Sequence, residues 1–150
     1  MQTKSIHQWL DEYGESHQNK TNKIIHWICV PAIFFSIICF LSLVPISATN
    51  NLASFALMFV AIFYARLSPK LAFGIICFYL ICYGCSLQLA KLSIPLWQSA
   101  STIFVISWAI QFYGHKIEGK KPSFLKDIQF LLIGPAWLLA FIYKKIGIKI

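Results

Sequence analysis

The feature that most restricts this chain is a succession of apolar blocks with almost no charge inside them. A helical crossing of a bilayer core needs roughly 20 apolar residues. Four blocks reach or approach that length, at about residues 24–44, 52–67, 71–92 and 96–113. "SLVPIS" and "LSIPLW" supply turn residues between the first and second blocks and between the third and fourth, and "RLSPK" joins the second to the third. Hydrophobic residues make up 58% of the sequence and charged residues 12%, against about 45–50% and about 25% in soluble domains. The expected class is an all-α integral membrane protein, a single membrane domain over residues 1–150 with no repeat and no low-complexity tract.

The first 23 residues are polar, so no cleavable signal peptide is expected in that stretch. Residues 1–23 are expected to form a cytoplasmic segment carrying an amphipathic helix, with His7 on its solvated face. The net charge of +8 reports topology rather than nucleic-acid binding, because no basic run is dense enough to follow a phosphate backbone. With the N-terminus inside, the inner segments hold Lys4, Lys20, Lys23, Arg66, Lys70, Lys116, Lys120, Lys121 and Lys126, and the outer loops hold only Lys91. Positive residues are retained on the cytoplasmic side, so that orientation is the expected one.

A fifth apolar segment, about residues 128–143, is interrupted by Gly134-Pro135 and followed by Lys144, Lys145 and Lys149. Proline removes a helix donor and disfavours helix at the preceding residue. A broken, re-entrant or interface-lying hairpin keeps the three lysines inside, and a kinked fifth span is the alternative. The five cysteines, Cys29, Cys39, Cys77, Cys82 and Cys85, all fall in apolar blocks, where buried thiols act as small apolar fillers. The "CYGC" spacing at Cys82 lacks the second pair that zinc and redox sites use.

On this topology "HQNKTNKIIH" and "QFYGHKIEG" lie at one membrane face although distant in sequence. On a continuous helix His17 and His26 would stand about 13 Å apart on opposite sides, so they meet only if the chain breaks between them. Thr21 or Asn22 is available as the cap of the helix that enters the membrane. Asn22 and His26 are spaced to share a face. Phe104, Trp108, Gln111, His115 and Glu118 follow at steps of four, three, four and three, one stripe of a helix that ends polar. Gly114 permits close backbone approach, Gly119 suits a C-cap and Pro122 prevents continuation.

His17, His26 and His115, with Glu118 nearby, suit Fe(II) or a similar ion that keeps coordination positions open. Asn22 and Gln111 would then orient imidazoles. No compact metal motif such as HExxH is present. The competing account of each histidine alone is an interfacial residue bonded to headgroup or backbone, and of Glu118 a surface partner for a lysine. Trp9, Trp27, Trp97, Trp108 and Trp137 are expected as interfacial anchors or packing.

Both motifs resemble those of the Mpo-type family of small membrane proteins. The resemblance rests on Tyr13, His17, Asn22, His26 and Pro31, then Trp108, Gln111, Phe112, Gly114, His115, Glu118 and Pro122, and extends to Gly134-Pro135. Fungal members are endoplasmic-reticulum dioxygenases of 2-hydroxy fatty acids. The resemblance implies Fe(II)-dependent α-oxidation, in which a long-chain 2-hydroxy fatty acid and dioxygen give a fatty acid one carbon shorter. It also implies that His17, His26 and His115 hold the iron. Fungal members place the glutamate four residues after the histidine, whereas Glu118 follows His115 by three, which sets Glu118 apart from the histidines as a ligand. Lys23, Lys116 and Lys120 are candidates to hold the substrate carboxylate.

Family membership does not fix the substrate. A non-catalytic lipid-binding or assembly protein needs no metal, and another metal-dependent lipid enzyme would share the site. A transporter is disfavoured, since ion pathways place ionisable groups deeper in the membrane. Short loops suit a bacterial inner membrane, and an endoplasmic-reticulum membrane obeys the same charge rule.

Overall fold

The computed structural model describes residues 4–119 and 124–150. The described residues form six α-helices: α1 (Ile6–Gly14), α2 (Lys20–Ser42), α3 (Leu52–Leu67), α4 (Pro69–Leu89), α5 (Leu96–Glu118) and α6 (Phe124–Lys145). Apart from one isolated β-bridge, they contain no extended pairing.

The start of each helix follows from local chemistry. Ser5 and Gln8 form a reciprocal capping box at α1, whose Ile6, Leu10 and Tyr13 make one buried face. Asn19 caps α2, its side chain accepting from the N–H groups of Thr21 and Asn22. The expected cap at Thr21 or Asn22 is therefore corrected by a few residues. The break falls in the turn before Asn19, and Asn22 already lies inside the helix. Ser68 alone separates α3 from α4, capping α4 with Pro69 at its first turn. Gly119 ends α5 in the left-handed region with φ 73°, a conformation glycine adopts at little cost.

α2 is the centre of the bundle and packs against α3, α4, α5 and α6. α2 and α4 are each long and apolar enough to cross a membrane, and α3 is a shorter apolar helix. Large apolar side chains face outward on several helices, among them Ile28, Phe59, Phe73, Ile81 and Val105, an arrangement that water would penalise. Of the cysteines, Cys29, Cys39 and Cys82 are buried as expected of fillers, whereas Cys77 and Cys85 lie on exposed faces.

The expected break at Gly134-Pro135 does not occur. α6 is one helix with Pro135 inside it, so the hairpin is corrected to a continuous helix. Pro135 leaves the carbonyl of Leu131 without its helical donor, and the neighbouring carbonyl of Leu132 accepts from the Tyr64 hydroxyl of α3. Gly134 lets α6 approach closely, since an added Cβ would stand 3.1 Å from both Val30 and the Tyr13 hydroxyl.

Two long-range bonds fix the direction of α6. Leu132 meets Tyr64 near the end of α3, and Tyr143 donates to the carbonyl of Lys70 at the start of α4. Those two positions sit at one end of the antiparallel α3–α4 pair. α6 therefore lies across that end of the bundle, and α1 packs on it through the Tyr13 ring, which touches Phe130 and Trp137.

Candidate metal centre

Under α1 and α6, at the same end of the bundle, three imidazoles converge from three chain segments. His17 comes from the turn after α1, His26 from the second turn of α2 and His115 from the last turn of α5. One ring nitrogen from each lies within 4.8 Å of the others. The ring centroids are 4.1 Å apart for His17 and His26, 5.0 Å for His26 and His115, and 5.5 Å for His17 and His115. His17 and His26 are 2% and 1% exposed, and His115 is partly exposed.

Backbone carbonyls orient two of these rings. His17 Nδ1 lies 2.5 Å from the carbonyl of Tyr13, and His26 Nδ1 lies 2.9 Å from the carbonyl of Asn22. A carbonyl accepts only, so each Nδ1 carries the hydrogen and each Nε2 keeps its lone pair. This is the tautomer a metal-binding imidazole needs, fixed by an outer hydrogen bond. Three imidazoles from separate elements, two of them oriented by backbone carbonyls, fit a transition-metal ion with open positions better than they fit a solvated helix flank.

The remaining predicted residues surround the cluster in different ways. Asn22 is fully buried, donating from Nδ2 to the carbonyl of Ser16 at 3.2 Å and to Glu118 Oε2 at 3.0 Å. Glu118 accepts from the backbone N–H of Gln18 at 2.8 Å and of Asn19 at 2.9 Å. Its oxygens are thereby occupied, and it is outside the group of three ligand atoms. Burial would raise the Glu118 carboxyl, but the Asn19 and Gln18 N–H groups, the Asn22 amide and a protonated His17 outweigh it and hold it below its ordinary value. Gln111 is buried one turn before His115. Gly114 brings α5 against α2, because a Cβ there would stand 2.4 Å from Asn22 Oδ1. Lys23 is partly exposed and Lys116 is exposed. Lys120 lies outside the described residues.

This constellation coincides with a sequence match. A family model described as "2-hydroxy-palmitic acid dioxygenase Mpo1-like" matches residues 3–146. The chain belongs to the Mpo1-like family. It is also similar to the 2-hydroxy-palmitic acid dioxygenase MPO1 of Saccharomyces cerevisiae, at 30% identity over 139 residues, covering 90% of this chain and 78% of the yeast protein. No solved structure matches the chain significantly.

Two residues of this Mpo1-like chain stand closer to the histidines than their sequence positions suggest. Tyr13 stacks on His17 with centroids 4.2 Å apart and planes 9° from parallel. Trp137, expected as an anchor or packing residue, is buried with its ring 5.4 Å from His17. Tyr13 was visible as a motif position, but its stacking was not. Trp137 carried no signal, because it reaches the site only through the orientation of α6.

Proposed function

We propose that this Mpo1-like chain is an Fe(II)-dependent dioxygenase that shortens a long-chain 2-hydroxy fatty acid by one carbon. The observation that carries the proposal is the convergence of His17, His26 and His115, with ring nitrogens within 4.8 Å of one another, in a chain similar to a 2-hydroxy-palmitic acid dioxygenase. These three imidazoles would hold the iron, which when bound supplies open coordination positions and the redox capacity that dioxygen chemistry requires. The reaction balances as 2-hydroxy acid plus dioxygen giving the shortened acid, carbon dioxide and water. The bond between carbons 1 and 2 breaks, carbon 2 rises from the alcohol to the carboxyl level, and dioxygen takes up the electrons.

The protein's own groups prepare that reaction. The carbonyls of Tyr13 and Asn22 orient the His17 and His26 rings so that each Nε2 is left as the ligand atom. Tyr13 and Trp137 wall one side of His17 and exclude water from it. Lys23 and Lys116, beside Asn22 and His115 in sequence, supply positive charge for the substrate carboxylate, and Lys120 is proposed in the same role. On this reading the four spans are about residues 24–44, 52–67, 71–92 and 96–113 of α2–α5, with the N-terminus and the histidines at the cytoplasmic face of an inner or endoplasmic-reticulum membrane. The substrate head lies at the level of the histidines and its chain in lipid.

The test is iron analysis of anaerobically purified protein, followed by assay with 2-hydroxypalmitate under oxygen. Iron equimolar with the chain and formation of pentadecanoic acid are expected. His17→Ala, His26→Ala and His115→Ala, each folded, are expected to lose both. Undiminished turnover in any of the three sinks the assignment.

A further inference from the structure

Glu118 sits three residues from His115, yet its carboxylate bonds to nothing on its own helix among the described contacts. Instead it reaches across to the segment that carries the other two histidines. Oε1 accepts from Gln18 N–H, and Oε2 accepts from Asn19 N–H and from Asn22 Nδ2. Each of these bonds leads to a histidine. Gln18 directly follows His17, in a turn that is also held by the N–H groups of Ser16 and His17 on the carbonyls of Tyr13 and Gly14, by the Gln18 amide on Gly14 and by the Asn22 amide on Ser16. Asn22, besides meeting the carboxylate, offers the carbonyl that orients His26. His115 shares the last turn of α5 with Glu118 itself.

We infer that Glu118 is the positioning residue that assembles the three-histidine site, joining the α1–α2 turn and the first turn of α2 to the end of α5. The inference rests on the proposed metal-site reading. It differs from ligation, since the carboxylate oxygens are directed at three N–H donors. The arrangement suits the charge. Hydrogen bonds to an ionised acceptor are roughly twice as strong as neutral ones, and an anion beside the N-terminus of α2 also meets the positive end of the helix dipole. An amide in place of the carboxylate presents N–H groups where the turn presents N–H groups, so at most part of the network survives.

The experiment uses the full chain, purified metal-free in detergent, as wild type, Glu118→Gln and Glu118→Asp. Backbone hydrogen exchange reports the turn without metal, and anaerobic titration with cobalt(II) reports affinity and the visible spectrum of the bound ion. In Glu118→Gln, faster exchange confined to residues 14–22 is expected, with cobalt affinity lower by about 10–100-fold, the range seen for groups that orient metal ligands. Glu118→Asp, which keeps the charge on a shorter arm, is expected to fall between. A thermal midpoint of the metal-free variants close to wild type separates positioning from general destabilisation. Unchanged exchange in residues 14–22 overturns the bridging role. Faster exchange with wild-type cobalt affinity overturns the positioning role. A wild-type protein that binds neither cobalt nor iron refutes the metal-site reading itself, and this inference with it.

Discussion

The α2–α5 contact at the site turns on Gly114, and Gly114→Ala is the substitution whose consequence the structure specifies most closely. A Cβ at this position stands 2.4 Å from Asn22 Oδ1, 3.3 Å from Ile25 Cγ2 and 3.4 Å from Ile25 Cδ1. Reaching 3.0–3.4 Å from the oxygen needs about 0.6–1 Å of separation. Asn22 cannot swing aside freely, because its Nδ2 is held by Ser16 and Glu118. Either α5 moves off α2 and carries the neighbouring His115 with it, or the Asn22 bonds break and the carbonyl orienting His26 shifts. Overpacking of this kind costs about 1–3 kcal/mol. Metal sites tolerate ligand displacements of about 0.2 Å, so the displacement matters more to the metal than to the fold. The expected result is a folded protein with cobalt(II) affinity reduced at least about tenfold. Gly84→Ala is the matched control, since nothing lies within 4 Å of its added Cβ; it should gain up to about 1 kcal/mol of helix stability and leave affinity unchanged. Wild-type affinity in Gly114→Ala would refute the argument that this crossing sets the position of His115.

Three further outcomes follow from the same geometry. Tyr13→Leu removes the ring stacked on His17 and should cost about 0.5–1.5 kcal/mol, with faster hydrogen exchange at His17 than elsewhere; a stability loss with no change at His17 would count against the stacking role. Gly74→Ala brings a Cβ within 2.5 Å of Leu139 Cδ2 and the Tyr143 hydroxyl, far ends of side chains that can move. Thermal unfolding should therefore show loss of roughly the Tyr143–Lys70 bond, about 0.5–1.5 kcal/mol, without a change in cobalt affinity. Glu118 titrates below its ordinary value near 4.5, so its contribution is fully present above that pH and is lost as pH falls through the lower folded value. The stability difference between wild type and Glu118→Gln should be flat above about pH 5.5 and shrink in acid; a difference that grows in acid contradicts the sign.

Much of the fold was legible because its signals are strong and local. The apolar blocks, the glycine that ends α5 and the amphipathic face of α1 each follow from a few neighbouring residues. The need for a chain break between His17 and His26 followed from helix geometry alone. The position of that break did not, because Asn19, Thr21 and Asn22 can all cap a helix, and the choice depends on what Asn22 does once buried. α6 misled for the opposite reason. Gly134-Pro135 is a genuine local weakness, but α6 is packed there against Val30, Tyr13 and Tyr64, all distant in sequence. The spacing of Glu118 from His115 already set it apart from the histidines, but its partners Gln18, Asn19 and Asn22 become visible only in the turn it faces.

The direction of α6 bears on the charge argument that oriented the chain. A fifth span would carry Lys144, Lys145 and Lys149 away from the other cations. A helix lying across the end of the bundle leaves them beside Lys70, whose carbonyl accepts from Tyr143. On the proposed topology every cation but Lys91 among the described residues then belongs to one face, and that face also holds His17, His26 and His115. The histidines come from a turn, the second turn of a helix and the last turn of another, which places all three at a boundary rather than in the apolar interior. That boundary suits a substrate whose carboxylate and hydroxyl seek charge while its chain seeks lipid. α1 is too short to span, and α1 and α6 together bring Tyr13 and Trp137 over His17. The proline that argued against a membrane crossing thus sits inside a helix whose Trp137 lies against His17.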